Sequence, residues 1–416
     1  MKNFFNNELL LDSSVSEKLY LKVKNLPIID YHCHLEEKLI SENKSFSDIG
    51  ELWLSFDHYK WRAMRLCGID EEYITGKKTF KEKFFAYAKI MPKLAGNPLY
   101  YWTHLELKQL FGIDEPLNEN TAEIIYNKAN EIISGLSIRK ILKKFNVEFI
   151  ATTDDPLSEL TYHGNYDGVS VSPTFRPDKV FKNDKEYIEK LKEMGKDNDI
   201  KKALSNRLDY FISKGCKIAD TALDFIPDEN TEQYDLLCYL AELYSQKHII
   251  MQLHLGTFRN VNTSKFLGIG ADSGFDIMRS EVDTDRLVKF LNKLNEKNQL
   301  PITIIYTLND NAIKNICTLS GAFKNVYVGA AWWFNDTVNG IKKHISNVAE
   351  YSSLGTNLGM LTDSRSFSSY PRFDFFRRIL CSFVGDLVEN GEYDEKSAEK
   401  LVKDICYNNI KELLSI

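Results

Sequence analysis

The sequence predicts an α/β fold, a distorted (β/α)8 barrel of the TIM type with a long helical insertion after strand one. Three observations predict it. Eight short runs rich in β-branched and aromatic residues recur along the chain, several apolar at consecutive positions, as strands buried on both faces require. Helical-period stretches such as 231–247 and 282–297 separate most of these runs, the alternation of a parallel sheet covered by helices. No period of 20–50 residues repeats, which removes solenoids and propellers.

In chain order, the expected strands are 26–32, 145–153, 169–175, 216–223, 249–254, 302–308, 325–332 and 358–363. One gap breaks the rhythm. Residues 35–144 are rich in Lys, Glu, Leu and aromatics with Gly and Pro punctuation, and structureless loops of that length are rare, so the segment reads as a helical insertion. A polar stretch after the third run, 177–209, reads as a second and smaller helical excursion. No low-complexity linker marks a separate domain, so the whole chain, 1–416, is expected to form one barrel domain.

Composition narrows the partners. At 416 residues with 43% apolar and 27% charged side chains, the chain can fill a large core, and its 25 Phe and 21 Tyr exclude general disorder. A net charge of −6 offers no overall basic field for nucleic acid or anionic lipid. Seven cysteines without CxxC or zinc-finger spacing suggest a reducing cytoplasm. Neither the first eleven residues nor any apolar run has the pattern of a signal peptide or a membrane span. A small, specific partner is the expectation.

In a parallel barrel, chemistry gathers at the C-terminal ends of the strands. Here those ends carry His32 and His34, Thr153 and Asp154, Arg176, Asp220, His254, Trp332, and Asp363 followed by Arg365. His32 and His34 are two apart, so on an extended strand both rings would project to one face and could share a divalent ion. A lone pair of this kind is more often a hydrogen-bonded strand end. With only eight histidines in the chain, a third, His254, ends strand five and a carboxylate, Asp363, ends strand eight. That combination favours one metal site of His32, His34 and Asp363, with His254 either a further ligand or a contact to substrate, and zinc as the first choice. Arg176, Arg259 and Arg365 suit bidentate binding of a carboxylate or phosphate, or ordinary salt bridges. Trp332 and Trp333 could stack on a sugar face or simply pack, and His58-Tyr59, on composition alone, is an aromatic patch of a helix.

The sequence also resembles the uronate (glucuronate) isomerases of the amidohydrolase superfamily. The resemblance rests on Met360-Leu361-Thr362-Asp363-Ser364-Arg365-Ser366-Phe367 with Tyr370-Pro371-Arg372 and Phe376-Arg377-Arg378. In order along the chain it extends to Asp30-Tyr31-His32-Cys33-His34-Leu35, Asp57-His58-Tyr59-Lys60-Trp61-Arg62, and Pro173-Thr174-Phe175-Arg176-Pro177-Asp178. Further matches are Gln252-Leu253-His254-Leu255-Gly256 with Arg259-Asn260, Gly270-Ala271-Asp272-Ser273-Gly274-Phe275-Asp276, and Ala331-Trp332-Trp333-Phe334-Asn335-Asp336. Two departures stand out: Asp220-Thr221 where the family commonly has Asp-His, and Phe373-Asp374-Phe375 where it usually has His-Glu-Tyr.

The resemblance implies interconversion of D-glucuronate with D-fructuronate and of D-galacturonate with D-tagaturonate, by moving a proton from C2 to C1 through an enediol. It implies catalytic roles for His58, Tyr59, Asp363 and Arg365, and substrate contacts from Arg176, Asp220, His254, Arg259 and Trp332. It also implies one divalent ion, a hexuronate as partner, and a homo-oligomer. A metal-bound carboxylate is a weak base, so a phenolate of Tyr59 beside an Arg competes with Asp363 as the base for C2. Two rivals remain: a mononuclear metal-dependent hydrolase of the same superfamily, and a non-catalytic sugar-acid binder. The third and fourth strand ends present Arg176 and Asp220 instead of a bridging Lys or Glu, which argues against a two-metal hydrolase.

Overall fold

The computed structural model describes residues 4–182 and 184–416; the first three residues of the N-terminal stretch considered above lie outside them. Its strands are β1 (Ile28–Asp30), β2 (Val147–Ala151), β3 (Gly164–Tyr166), β4 (Val169–Ser172), β5 (Thr174–Phe175), β6 (Ile218–Leu223), β7 (Ile250–Leu255), β8 (Thr257–Phe258), β9 (Ile277–Met278), β10 (Thr303–Thr307) and β11 (Val326–Val328). They pair in the orders β1-β2-β4-β3 and β11-β10-β7-β6-β5, with β8-β9 as a separate ribbon. Every pairing in the two larger sheets is parallel except β3 with β4. A parallel bridge from Asp154 to Phe175 joins the two sheets.

Alternation along the strands sorts two cores. Ile29, Tyr31, Phe149, Ala151, Ile218, Ile250, Ile304 and Tyr306 pack together in an inner cluster. Their chain neighbours Ile28, Ile150, Ala219, Met251 and Ile305 belong to a larger core shared with the helices. A period of two on a strand buried on both faces produces this division.

Helices fill the long gap between β1 and β2, among them Ile49–Leu54, His58–Leu66, Phe80–Ile90, Pro98–Phe111 and Ala122–Ile133. Their starts are readable in the sequence. A capping box of Thr79 and Glu82 opens Phe80–Ile90, and Asn97 with Pro98 at the first position opens Pro98–Phe111. Asp57 caps His58–Leu66 by accepting from the backbone N–H of Tyr59 and Lys60 at 3.0 and 3.2 Å. The stretch 177–209 also holds helical turns, chiefly Lys185–Gly195 and the start of Ile200–Ser213.

The eighth expected strand does not form. Residues 358–363 run alongside β1 without a ladder, with Asp363 N–H donating to His32 O at 3.1 Å and His34 N–H donating to Ser364 O at 2.9 Å. Gly359 (φ +72°) and Asp363 (φ +47°) hold left-handed backbone, which interrupts an extended chain. Gly359 is also pressed against Ile405, whose carbonyl oxygen would lie 2.3 Å from an added Cβ. The first strand, too, ends earlier than expected, so His32 and His34 lie beyond β1 and not on an extended strand.

Candidate active site

A cavity of about 1140 Å3 opens where the chain leaves the strands. His32, His34, His58, Arg176, His254, Arg259, Trp332, Asp363 and Arg365 all line it. Among the sequence-expected site residues, Tyr59 and Asp220 are set behind this lining.

Asp363 is the hub, and its two oxygens face different company. Oδ1 lies 3.3 Å from His32 Nε2 and 3.1 Å from His34 Nε2. Oδ2 accepts from Trp332 Nε1 at 2.8 Å and from the Tyr59 hydroxyl at 3.2 Å. Burial opposes its charge, but the hydrogen bonds and charge of His32 and His34 outweigh that cost, so its pKa falls well below the ordinary carboxylate range. Trp332 therefore orients the carboxylate in addition to forming cavity wall.

Although β1 ends before them, His32 and His34 still converge. Cys33 between them turns away into the large core, and the two rings sit 5.3 Å apart. His34 is fixed from behind, its Nδ1 hydrogen-bonded to Thr153 Oγ1 at 2.6 Å. That leaves Nε2 facing Asp363. Burial, with Arg365 nearby, pushes the His34 pKa down, which favours the neutral ring that a metal ligand needs. His32, His34 and Asp363 offer ligand atoms within 4.8 Å of one another and could hold a metal ion. A second group, His32, Asp220 and His254, meets the same limit. The buried His32 Nδ1 and His254 Nε2 have no hydrogen-bond partner. The Nε2 atoms of His32 and His34, both facing one oxygen of Asp363, form a donor set that a divalent cation would suit.

Asp220 is wholly buried, a position from which it braces other side chains. Its Oδ1 lies 2.7 Å from His254 Nδ1, and its Oδ2 lies 3.0 Å from Arg176 Nη1 and 3.8 Å from His32 Nδ1. Burial alone would raise its pKa, but Arg176 and the two histidines reverse the sign and lower it. His254 is further held by Tyr306, stacked on it at 4.3 Å and 4°. Arg176 also pairs with Asp178 at 2.8 Å, so part of its fork is already used.

Arg259 and Arg365 depend on the excursion between β8 and β9. Arg259 Nη1 lies 3.4 Å from Asp276 and Arg365 Nη2 lies 3.0 Å from Asp272. The excursion is tied to the helix carrying His58 and Tyr59: Arg62 Nη1 donates to Gly274 O and Asp276 O, both at 3.0 Å. Gly274 (φ +90°) permits the approach, since an added Cβ would lie 3.0 Å from His58 O. Residues near the site that single-residue reading did not single out include buried Arg372, whose guanidinium lies 4.8 Å from the Tyr59 ring. Another is buried Asp336. Both fall inside runs quoted above, but only their side-chain direction marks them as neighbours of the site.

Comparison with known proteins agrees over the full length. The sequence matches the family described as glucuronate isomerase over residues 1–237 and 226–414. The uronate isomerase of Caldicellulosiruptor saccharolyticus is 42% identical with 99% of each chain covered, and that of Clostridium perfringens is 40% identical with 98% of each covered. The solved structure of uronate isomerase from Thermotoga maritima superposes with a TM-score of 0.95 at 34% identity, covering 99% of this chain and 100% of that one. A glucuronate isomerase structure from Caulobacter crescentus shares the fold with a TM-score of 0.92 at 24% identity, covering 99% and 97%.

Proposed function

The chain belongs to the glucuronate isomerase family, and from that premise we infer that it is a uronate isomerase, interconverting the aldose and ketose forms of a hexuronate. The pairs are D-glucuronate with D-fructuronate and D-galacturonate with D-tagaturonate. The observation that carries the reading is the division of labour at Asp363. One oxygen faces two histidines and the other faces a phenol and an indole.

His32, His34 and Asp363 Oδ1 would hold one divalent ion, zinc being the choice that imidazole and carboxylate donors suit best, with His254 a further ligand or a contact to the sugar. When bound, the ion supplies positive charge where the sugar oxygens become anionic. The chain's own residues do the rest. Tyr59 is half-buried and faces the Asp363 carboxylate, and desolvation and that charge hold its phenol above the ordinary value, so it works as a proton holder in a hydrogen-bonded pair. A proton taken from C2 passes to the Asp363 Oδ2–Tyr59 Oη pair, which exchanges with solvent and delivers a proton to C1, while the hydroxyl proton of O2 moves to O1 through the enediol. His58, at the cavity wall, assists opening of the sugar ring, and Arg365 steadies the anionic partner. Arg176 and Arg259 receive the substrate carboxylate, with Trp332 as wall and Asp220 holding Arg176 and His254 in place.

We also infer that the two sheets and the segment 358–363 close one (β/α)8 barrel spanning the chain, with 35–144 inserted in it. The bridge between Asp154 and Phe175 and the backbone bonds from 363–364 to the residues just after β1 support this. Among the described residues no helix is long and apolar enough to cross a membrane.

The test compares turnover of glucuronate, galacturonate and glucose, with metal analysis of the parent and of a His32→Ala/His34→Ala double variant. Losing a buried arginine–anion contact costs about 2–5 kcal/mol, so glucose should turn over at least roughly thirtyfold more poorly. About one metal per chain, lost in the double variant, is expected. Comparable turnover of glucose, or unchanged metal content, would overturn the reading.

A further inference from the structure

We infer that Arg372 is a positioning residue that clamps Tyr59 against Asp363, an inference that rests on the role of the Tyr59–Asp363 pair given above. Arg372 lies in the first turn of the helix Pro371–Glu389 and is 1% exposed. Its guanidinium lies against two rings of the helices between β1 and β2, 4.8 Å from the Tyr59 centroid and 4.0 Å from the Trp102 centroid. Its Nη1 donates to the carbonyl oxygen of Thr362 at 2.9 Å, the residue immediately before Asp363. One side chain thus touches both halves of the pair, the helix that carries Tyr59 and the segment that carries Asp363.

A buried arginine kept only for packing would be expected to satisfy its donors, yet Nε and Nη2 of Arg372 have no hydrogen-bond partner. It lies instead within cation–π distance of two aromatic rings, contacts that a planar guanidinium makes and the compact ammonium of lysine copies only in part. Burial opposes the charge, while Tyr59, Asp57, Asp336 and Glu106 favour it. Tyr59 is held at its other end as well, its backbone N–H capped by Asp57, which in turn pairs with Lys60 at 3.0 Å. Backbone cap and ring clamp together leave the Tyr59 hydroxyl little freedom to leave Asp363.

A double-mutant cycle separates this role from general support. In the metal-loaded parent, Arg372→Met should lower kcat for glucuronate at least tenfold, with KM and metal content within twofold. In a Tyr59→Phe background the same substitution should change kcat less than twofold, and Arg372→Lys should recover only part of the loss. An equal loss in both backgrounds, or metal lost in step with kcat, overturns the clamp. Should Arg372→Met not fold, Arg372→Lys runs through the same cycle, since it keeps the charge and loses the flat face. A parent that turns over no hexuronate sinks the isomerase reading alone. The clamp is then judged on melting temperature, where Tyr59→Leu and Arg372→Met must be non-additive and additivity refutes it.

Discussion

Asp363 is committed on both oxygens and sits at positive φ, a backbone position that a non-glycine residue occupies at some cost. The two oxygens predict separable variants. Trp332→Phe removes one of the two donors at Oδ2, and a hydrogen bond to a charged group is worth about 1.5–3 kcal/mol, so kcat should fall roughly ten- to a hundredfold with metal retained. Thr153→Val acts on the other side. It frees the His34 ring, and metal affinity should drop by roughly ten- to a hundredfold. Kinetics beside metal titration distinguish the two; metal loss in Trp332→Phe would break the division. Asp336 gives a pH prediction. Burial holds its carboxyl up to about 7, whereas an unfolded Asp titrates near 3.9. Between these values the folded protein keeps a proton that the unfolded chain has released, so this group's contribution is lost as pH rises towards 7. Asp336→Asn should therefore gain stability relative to the parent by roughly 2–4 kcal/mol between pH 5 and pH 8, read from urea midpoints. A gap that does not change with pH would contradict it. The convergence of His32, His34 and Asp363 was legible because histidine is scarce and strand ends are where chemistry belongs. Arg372 was not, because nothing in its neighbours along the chain reveals which rings it lies against.

Elements set those side chains in place through close approaches. An added Cβ at Gly329 would lie 2.3 Å from the ring of Tyr306, and Tyr306 is the ring stacked on His254. Gly329→Ala must displace that ring, so it should destabilise the fold by about 1–3 kcal/mol and disturb the site, seen as a lower melting temperature with reduced kcat. An unchanged melt and full activity would show that the stack is not needed. The strands with apolar residues on both faces, β2, β6, β7 and β10, were legible as runs. The short antiparallel β3 was missed, although Asp167-Gly168 between Tyr166 and Val169 is a two-residue hairpin signal, and both residues have positive φ. The run 358–363 was apolar enough to suggest a strand, but the left-handed backbone at Gly359 and Asp363 depends on packing against Ile405 and β1, which no local pattern encodes.

At the scale of the whole molecule, a net acidic chain surrounds a cavity fed by three arginines and four histidines. The helical insertion and the β8–β9 excursion come from opposite parts of the sequence, and they meet where Arg62 grips Gly274 and Asp276. The insertion delivers Tyr59 to Asp363, which lies more than three hundred positions later in the chain. The proposed relay between Tyr59 and Asp363 is tested most directly by turnover of glucuronate in deuterium oxide. The parent should place solvent deuterium at C1 of the ketose and at C2 of recovered aldose, and Tyr59→Phe and Asp363→Asn should each be crippled. Transfer without any solvent deuterium, together with full activity in both variants, would contradict it.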